Sequence, residues 1–267
     1  MKENLSPLRA ENITFSYMEK AGLFSDLSFA LPSGKMTVLA GSNGCGKSTL
    51  LRILAGIQKI KRGRVLLKGV PLEHYSIADR TKITGFVPQE LPLAENMTVR
   101  DLLITGRLAK KNLFGLPIAS ADDEKEVEKV LRDLELAELA ERTCASLSGG
   151  EFRRAAIGAI LVQQPEILLL DEPCAALDYR HTLELYDILK KMCEEKALTI
   201  LLVSHDLILP AKYASNFVLM KKGRLIAEGA PEEVLCKENL EKVYDIPFEI
   251  LSTGISTPVP IPMEKKK

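Results

Sequence analysis

The chain has 267 residues, with 36 Lys and Arg against 36 Asp and Glu, 46% apolar and 27% charged residues. That apolar fraction excludes a mainly disordered chain, and the length, near the upper end for one hydrophobic core, allows one domain with lobes or two small domains. Zero net charge supplies no general field for attracting nucleic acid or an anionic membrane, so neither is an expected direct partner.

Apolar and polar positions alternate through Ile13, Phe15 and Tyr17 and again through Leu27, Phe29 and Leu31, with turns at Ala21-Gly22 and Pro32-Ser33-Gly34. This pattern predicts an antiparallel sheet with one covered face. Met36–Ala40 predicts a short apolar strand that runs into a glycine-rich turn and then a helix bearing Leu50, Leu51, Ile53 and Leu54. Further strands are expected at Val65–Lys68 and near Ile83–Val87. From Thr98 the pattern becomes helical: after Ser120, Val127, Val130, Leu131 and Leu134 form one apolar stripe, and helix continues to about Val162. Ile167–Leu170 and Thr199–Val203 are apolar on both faces, as buried parallel strands must be, with an amphipathic helix at Leu183–Cys193 between them. Phe217–Met220 and Leu225–Ala227 read as a closing hairpin. The proline-rich stretch 257–262 cannot be helical and is expected to pair with Phe248–Leu251 across Ser252-Thr253-Gly254, while Glu264–Lys267 is expected to be disordered.

The longest apolar runs, Ala155–Val162 and Ile167–Leu170, fall far short of the roughly 20 residues that a membrane-spanning helix needs. Met1–Pro7 has no apolar leader core, so export is not expected. Five cysteines without a Cys-x-x-Cys pair, and three histidines, point to reduced thiols without structural zinc.

Gly41, Ser42, Asn43, Gly44, Cys45, Gly46, Lys47 and Ser48 fit the phosphate-loop spacing, between a strand and a helix as that pattern requires. Glycines let backbone N–H groups converge on an anion, and the helix N-terminus adds partial positive charge. Lys47 is expected to reach the β- and γ-phosphates of a nucleotide and Ser48 to bind Mg²⁺. Ile167–Leu170 leads into Asp171 and Glu172, placing Asp171 beyond the carboxyl end of a strand, where open α/β sheets bind ligands. Asp171 is expected to hold Mg²⁺ through water. Glu172 reads either as the group that orients an attacking water or as a solvated acid after a strand.

Ser148 and Glu151 have capping-box spacing. Gly149 and Gly150 inside the first turn cost about 1 kcal/mol each relative to Ala, which suggests close backbone approach to a second phosphate. Gln89 and His205, each after a strand, read either as site residues or as polar strand closers. Tyr17 is either a packed surface ring or a face for adenine. Cys45, beside Lys47 and a helix N-terminus, is either a reactive thiol of lowered pKa or a small residue whose backbone alone matters.

The ordered set Tyr17, Gly41–Ser48, Gln89, Leu147–Glu151, Asp171–Glu172, Leu177-Asp178 and His205 resembles the nucleotide-binding subunit of ABC transporters, over nearly the whole chain. The resemblance implies an α/β P-loop NTPase (RecA-like) core with an N-terminal antiparallel β-subdomain and an inserted α-helical subdomain. All of it forms one 1–267 ATPase domain: core 1–90 and 160–240, helical subdomain about 91–159, C-terminal extension 241–267. It further implies ATP and Mg²⁺ as cofactors, with Tyr17 on adenine and the 41–48 loop and Thr49 on phosphates and metal. Gln89 would sense metal and water, Glu172 would be the catalytic carboxylate, and His205 would contact the γ-phosphate. Ser148, Gly149 and Gly150 would reach the nucleotide of a second copy, and Asp178 would communicate across that homodimer. A membrane permease and a substrate-binding protein are the implied partners, with the chain peripheral on the cytoplasmic face of the membrane.

Tyr75-Ser76 with Arg80, the stretch Leu177–His181 and the tail Val243–Asp245 with Pro258–Pro262 are similar to importers of iron-siderophore complexes, haem or cobalamin. Phe152, Gly158 and Cys174-Ala175 depart from the family's usual residues without removing a catalytic group. An exporter subunit, a soluble ATPase of this family acting on nucleic acid or ribosomes, and a phosphate-loop kinase are the alternatives. The kinase would have no use for Glu172 together with the Leu147–Glu151 element.

Overall fold

The computed structural model describes residues 6–17, 22–91, 94, 96–109, 119–175, 177–251 and 257–264. In chain order the strands and helices begin with β1 (Leu8–Phe15), β2 (Phe24–Leu31), β3 (Met36–Gly41), α1 (Lys47–Leu54), β4 (Arg62–Leu67), β5 (Val70–Pro71), α2 (Ile77–Ile83) and β6 (Thr84–Val87). They continue with α3 (Val99–Ala109), α4 (Ala121–Asp133), α5 (Gly149–Leu161), β7 (Ile167–Asp171), α6 (Tyr179–Lys196) and β8 (Thr199–Val203). The last are α7 (Ile208–Ala211), β9 (Asn216–Lys221), β10 (Arg224–Gly229), α8 (Pro231–Val234), α9 (Lys237–Tyr244), β11 (Phe248–Leu251) and β12 (Val259–Pro262).

A four-stranded antiparallel sheet has the order β2-β1-β4-β5. A six-stranded sheet runs β10-β9-β3-β8-β7-β6, parallel throughout except for the edge strand β10. The apolar runs of its central strands divide by residue parity between two cores. Val38, Leu168, Leu170, Ile200, Leu202, Phe217 and Leu219 face one layer, which also holds the stripe Val127, Val130, Leu131 and Leu134. Leu39, Ile167, Leu169, Leu201, Val203, Val218 and Met220 face the other, with α1 and the β1–β2–β4 sheet. Because both faces are covered, these strands cannot alternate apolar with polar residues, which explains their sequence.

The starts of α2, α4, α5 and α6 carry side-chain caps. Ser120 and Asp123 form a capping box on α4, and Ser148 and Glu151 form the expected one on α5. The helix expected at Leu183–Cys193 is longer: Asp178 accepts from the His181 backbone N–H at 2.9 Å and starts α6 at Tyr179, before the apolar pattern becomes visible. The strand expected to carry Tyr17 ends at Phe15. The C-terminal pairing is as expected, with Phe248 opposite Pro262 and Leu251 opposite Val259. Pro260 and Pro262, two apart, direct their missing N–H groups to the same side, which suits an edge strand. Residues Ala21, Ser252-Thr253-Gly254 and Lys265–Lys267 lie outside the described residues.

Candidate functional site

Parallel pairing brings four strand ends to one edge of the sheet. β3 ends at Gly41, β6 leads into Gln89, β7 ends at Asp171 before Glu172, and β8 leads into His205. Such an edge, outside the carboxyl ends of parallel strands, is where ligands bind in α/β sheets. Tyr17, Lys47, Ser48, Thr49, Gln89, Glu172 and His205 line one open crevice there with Asn43, Gly44 and Gly46.

The loop after β3 depends on glycine at two crowded positions. A Cβ on Gly41 would lie 2.1 Å from the Met220 carbonyl oxygen of the neighbouring strand β9. Gly46, at φ 108°, caps α1, and a Cβ there would lie 2.6 Å from the Phe24 ring. The side chain of Lys47, 5% exposed, folds over this loop, and Nζ donates to the carbonyls of Gly41 at 2.9 Å and Ser42 at 3.2 Å. The cation thus sits where the loop's N–H groups and the start of α1 also favour an anion. Tyr17 is exposed; its hydroxyl meets the Thr49 hydroxyl at 2.8 Å and its ring stands edge-on to Phe15.

Ser48 Oγ donates to Asp171 Oδ1 at 2.8 Å. Asp171 is 1% exposed, and its Oδ2 has no hydrogen-bond partner among the described residues. Burial pushes its carboxyl above the ordinary carboxylate value, against the lowering effect of the Ser48 bond. A buried, unpartnered carboxylate oxygen beside a hydroxyl is the hard-oxygen donor set that suits Mg²⁺.

Glu172, next in the chain, has φ 50°, the left-handed region that a non-glycine residue occupies at a cost of about 1–3 kcal/mol. From that backbone turn its side chain lines the crevice. Gln89 Nε2 donates to Glu172 Oε2 at 2.9 Å, while His205 Nε2 closes on Oε1. The open question about Glu172 therefore has a geometric answer: its side chain is held between Gln89 and His205 and is only 14% exposed, unlike a solvated acid.

Sequence reasoning missed Arg153. It is 5% exposed on α5, and its guanidinium donates to the carbonyls of Pro88, Gln89, Asp171, Glu172 and Pro173 at 2.7–3.3 Å. One signal was available: Arg153 shares a helix face with buried Ile157 and Leu161 at spacings of four, where a charge is out of place.

Ser148, Gly149, Gly150 and Asp178 do not line the crevice. The capping box engages Ser148 Oγ with the Glu151 N–H at 3.3 Å, and Glu151 Oε2 with the Ser148 N–H at 2.7 Å. The close approach suggested for the paired glycines has a partner within this chain. A Cβ on Gly150 would lie 2.8 Å from the His181 ring, whereas one on Gly149 would meet nothing within 4 Å. His181 Nδ1 in turn contacts Asp178 Oδ1 at 2.8 Å, joining the start of α5 to the start of α6.

Of the two readings of Cys45, the structure favours the small residue whose backbone matters over the reactive thiol. Cys45 is 2% exposed and packs in the core with α1, and burial raises its thiol pKa despite the nearby Lys47. Desolvation of a thiolate outweighs one cation directed elsewhere, so the loop uses this residue for its backbone and its small apolar volume.

Comparison with known proteins agrees with the geometry. Residues 24–175 match a family model described as ABC transporter. The chain is 33% identical over 264 residues to the ferric enterobactin transport ATP-binding protein FepC of Escherichia coli (strain K12), covering 98% of this chain and 96% of that protein. It is 35% identical over 248 residues to the iron(3+)-hydroxamate import ATP-binding protein FhuC of Bacillus subtilis (strain 168), covering 93% and 91%. Among solved structures, the dimeric bacterial ABC transporter cassette MJ0796 superposes with a TM-score of 0.73 at 26% identity, covering 84% of this chain and 98% of that one.

Proposed function

Because the chain belongs to the ABC transporter family and is an ATPase with the P-loop NTPase fold, we propose that it powers uptake of an iron-siderophore complex through a membrane permease. The crevice at the strand ends is its hydrolytic site. No helix among the described residues is long and apolar enough to cross a membrane, so attachment to the cytoplasmic face falls to the permease. The iron-siderophore assignment draws on the relatives, which are named for ferric enterobactin transport and iron(3+)-hydroxamate import.

Residue roles follow from charge and position. The loop Gly41–Ser48 and Thr49 cradle the triphosphate, with Lys47 leaving its own carbonyls for the β- and γ-phosphate oxygens. Tyr17 presents an exposed ring for adenine. Ser48, Asp171 and the Gln89 amide oxygen would hold Mg²⁺, which when bound neutralises charge on the β- and γ-phosphates. Glu172 orients the attacking water and accepts its proton as the water oxygen bonds to phosphorus and the γ–β bridging bond breaks. His205 leaves Glu172 for the γ-phosphate, and Gln89 keeps the water side of the carboxylate. Ser148, Gly149 and Gly150 complete the site on a second copy in a head-to-tail homodimer, and Asp178 lies beside them. The whole chain acts as one ATPase domain, with the helical stretch of about 91–159 and the Gln89 loop facing the permease.

The observation that carries this reading is the meeting of Lys47, Ser48 and the Gln89–Glu172–His205 group in one crevice, with buried Asp171 bonded to Ser48. The test is ATP turnover of the chain reconstituted with its permease in liposomes. Binding protein loaded with a ferric hydroxamate or ferric catecholate should stimulate turnover, and metal-free siderophore should not. Stimulation by cobalamin-loaded or haem-loaded protein alone would overturn the cargo assignment.

A further inference from the structure

We infer that Arg153 is a positioning residue of the ATPase reaction: its guanidinium holds the peptide units of Gln89 and Glu172 together and ties both to the first turns of α5. This inference rests on the crevice being the hydrolytic site.

A guanidinium carries five N–H donors, and here all five are matched. Nε donates to Pro173 O at 2.9 Å. Nη1 donates to Pro88 O and Gln89 O, both at 3.0 Å. Nη2 donates to Glu172 O at 2.7 Å and Asp171 O at 3.3 Å. Every acceptor is a backbone carbonyl, and among the described residues no carboxylate forms an ion pair with this cation. Its neighbour Arg154 has an ordinary arrangement, with a carboxylate partner in Glu184 at 3.0 Å. A buried cation set against carbonyls is costly unless fully hydrogen-bonded, so Arg153 is tied to the positions of its five acceptors.

Those acceptors belong to two segments far apart in sequence, 88–89 and 171–173. The side chains of these segments meet where Gln89 Nε2 bonds to Glu172 Oε2. Glu172 is held in a left-handed backbone conformation, and a strained turn persists only where its surroundings fix it. Arg153 donates to the carbonyls on both sides of the Glu172 Cα, those of Asp171 and Glu172, the latter also accepting from the Ala175 N–H at 3.2 Å. It is also five residues from Ser148 on one rigid helix, roughly 7 Å along the axis. A displacement of the start of α5 therefore moves the Gln89 loop and the Glu172 turn together. Lysine has only three donors on a flexible stem and cannot reproduce the planar five-bond pattern.

All five hydrogen bonds of the Arg153 guanidinium go to segments 88–89 and 171–173 and none to residues 41–49, so its removal should lower kcat and leave nucleotide affinity in place. In the full chain, Arg153→Gln should lower kcat at least 30-fold, with ATP KM and calorimetric ATP affinity within threefold of the parent. Arg153→Lys, which keeps the charge and loses the fork, should fall between parent and Arg153→Gln, with KM again unchanged. Arg154→Gln, the neighbouring control, should stay within threefold in both constants. Parent-level kcat in Arg153→Lys, or in Arg153→Gln, would overturn the inference. So would a loss of kcat matched by an equal loss of ATP affinity, or an equal loss in Arg154→Gln. Lys47→Ala measured in parallel separates the two claims. Unchanged ATP affinity there refutes the nucleotide site itself, whereas lost affinity together with full kcat in Arg153→Gln refutes only the role of Arg153.

Discussion

In Ser48→Ala, the buried carboxylate of Asp171 loses the hydroxyl that donates to Oδ1 at 2.8 Å, and since Oδ2 has no partner already, neither oxygen keeps one. A hydrogen bond to a charged group contributes about 1.5–3 kcal/mol, and at 1% exposure water cannot replace it. We expect the nucleotide-free protein to lose about 2 kcal/mol at pH 7. With an unfolding entropy of about 2.1 cal/mol/K per residue over a chain of this length, the midpoint should fall by about 4 °C. The pH dependence has a definite sign. Asp171 already sits above the ordinary carboxylate value because it is buried, and loss of the hydroxyl pushes it higher. A carboxyl raised in the folded state binds more protons there than in the unfolded chain. Its contribution is therefore full below the ordinary carboxylate value and is lost as pH rises through the folded value. The Ser48→Ala deficit should accordingly shrink on acidification. Urea unfolding of Ser48→Ala, Asp171→Asn and the double variant, between pH 5 and pH 8, tests this. A coupling of 1–2 kcal/mol is expected between two residues in direct contact. A coupling within about 0.3 kcal/mol of zero, or a deficit that grows at low pH, would refute the reasoning.

Lys47→Ala should weaken ATP binding at least tenfold, about 1.4 kcal/mol, and an unchanged calorimetric affinity would contradict the phosphate role. Glu172→Gln should retain ATP binding while turnover falls by roughly 10²–10⁴-fold, the range of a general base. Size exclusion of that variant with ATP should show an accumulated dimer; monomer alone would count against the paired site. Gly106→Ala should destabilise by about 2–3 kcal/mol in urea, because its Cβ would lie 2.0 Å from the Ala159 carbonyl and force α3 from α5. A loss below 1 kcal/mol would mean that this contact relaxes. Cys45 should resist iodoacetamide in the native state at equal rates with and without Mg-ATP, and rapid labelling would contradict its burial.

Much of the core was legible because each central strand carries its own instruction. Ile167–Leu170 and Ile200–Val203 are apolar at every position, which only a strand covered on both faces can satisfy. The phosphate-loop spacing and the Ser148–Glu151 capping box are likewise local, since their partners lie within a few residues. The start of α6 was not legible from its apolar pattern, because its first exposed turn is set by a cap, Asp178, and not by burial.

Residue order alone therefore fixed the strands, the two-sided burial of the sheet and the candidate chemistry at the ends of its strands. Packing decided the rest. Ser48 and Asp171 are 123 positions apart and meet only through strand register. The low exposure of Cys45, the reason for glycine at 41 and at 150, and the five carbonyls around Arg153 all depend on groups from distant segments. Desolvation and steric exclusion act through the neighbours a side chain acquires in space, and a linear chain specifies those neighbours only once its sheets have paired.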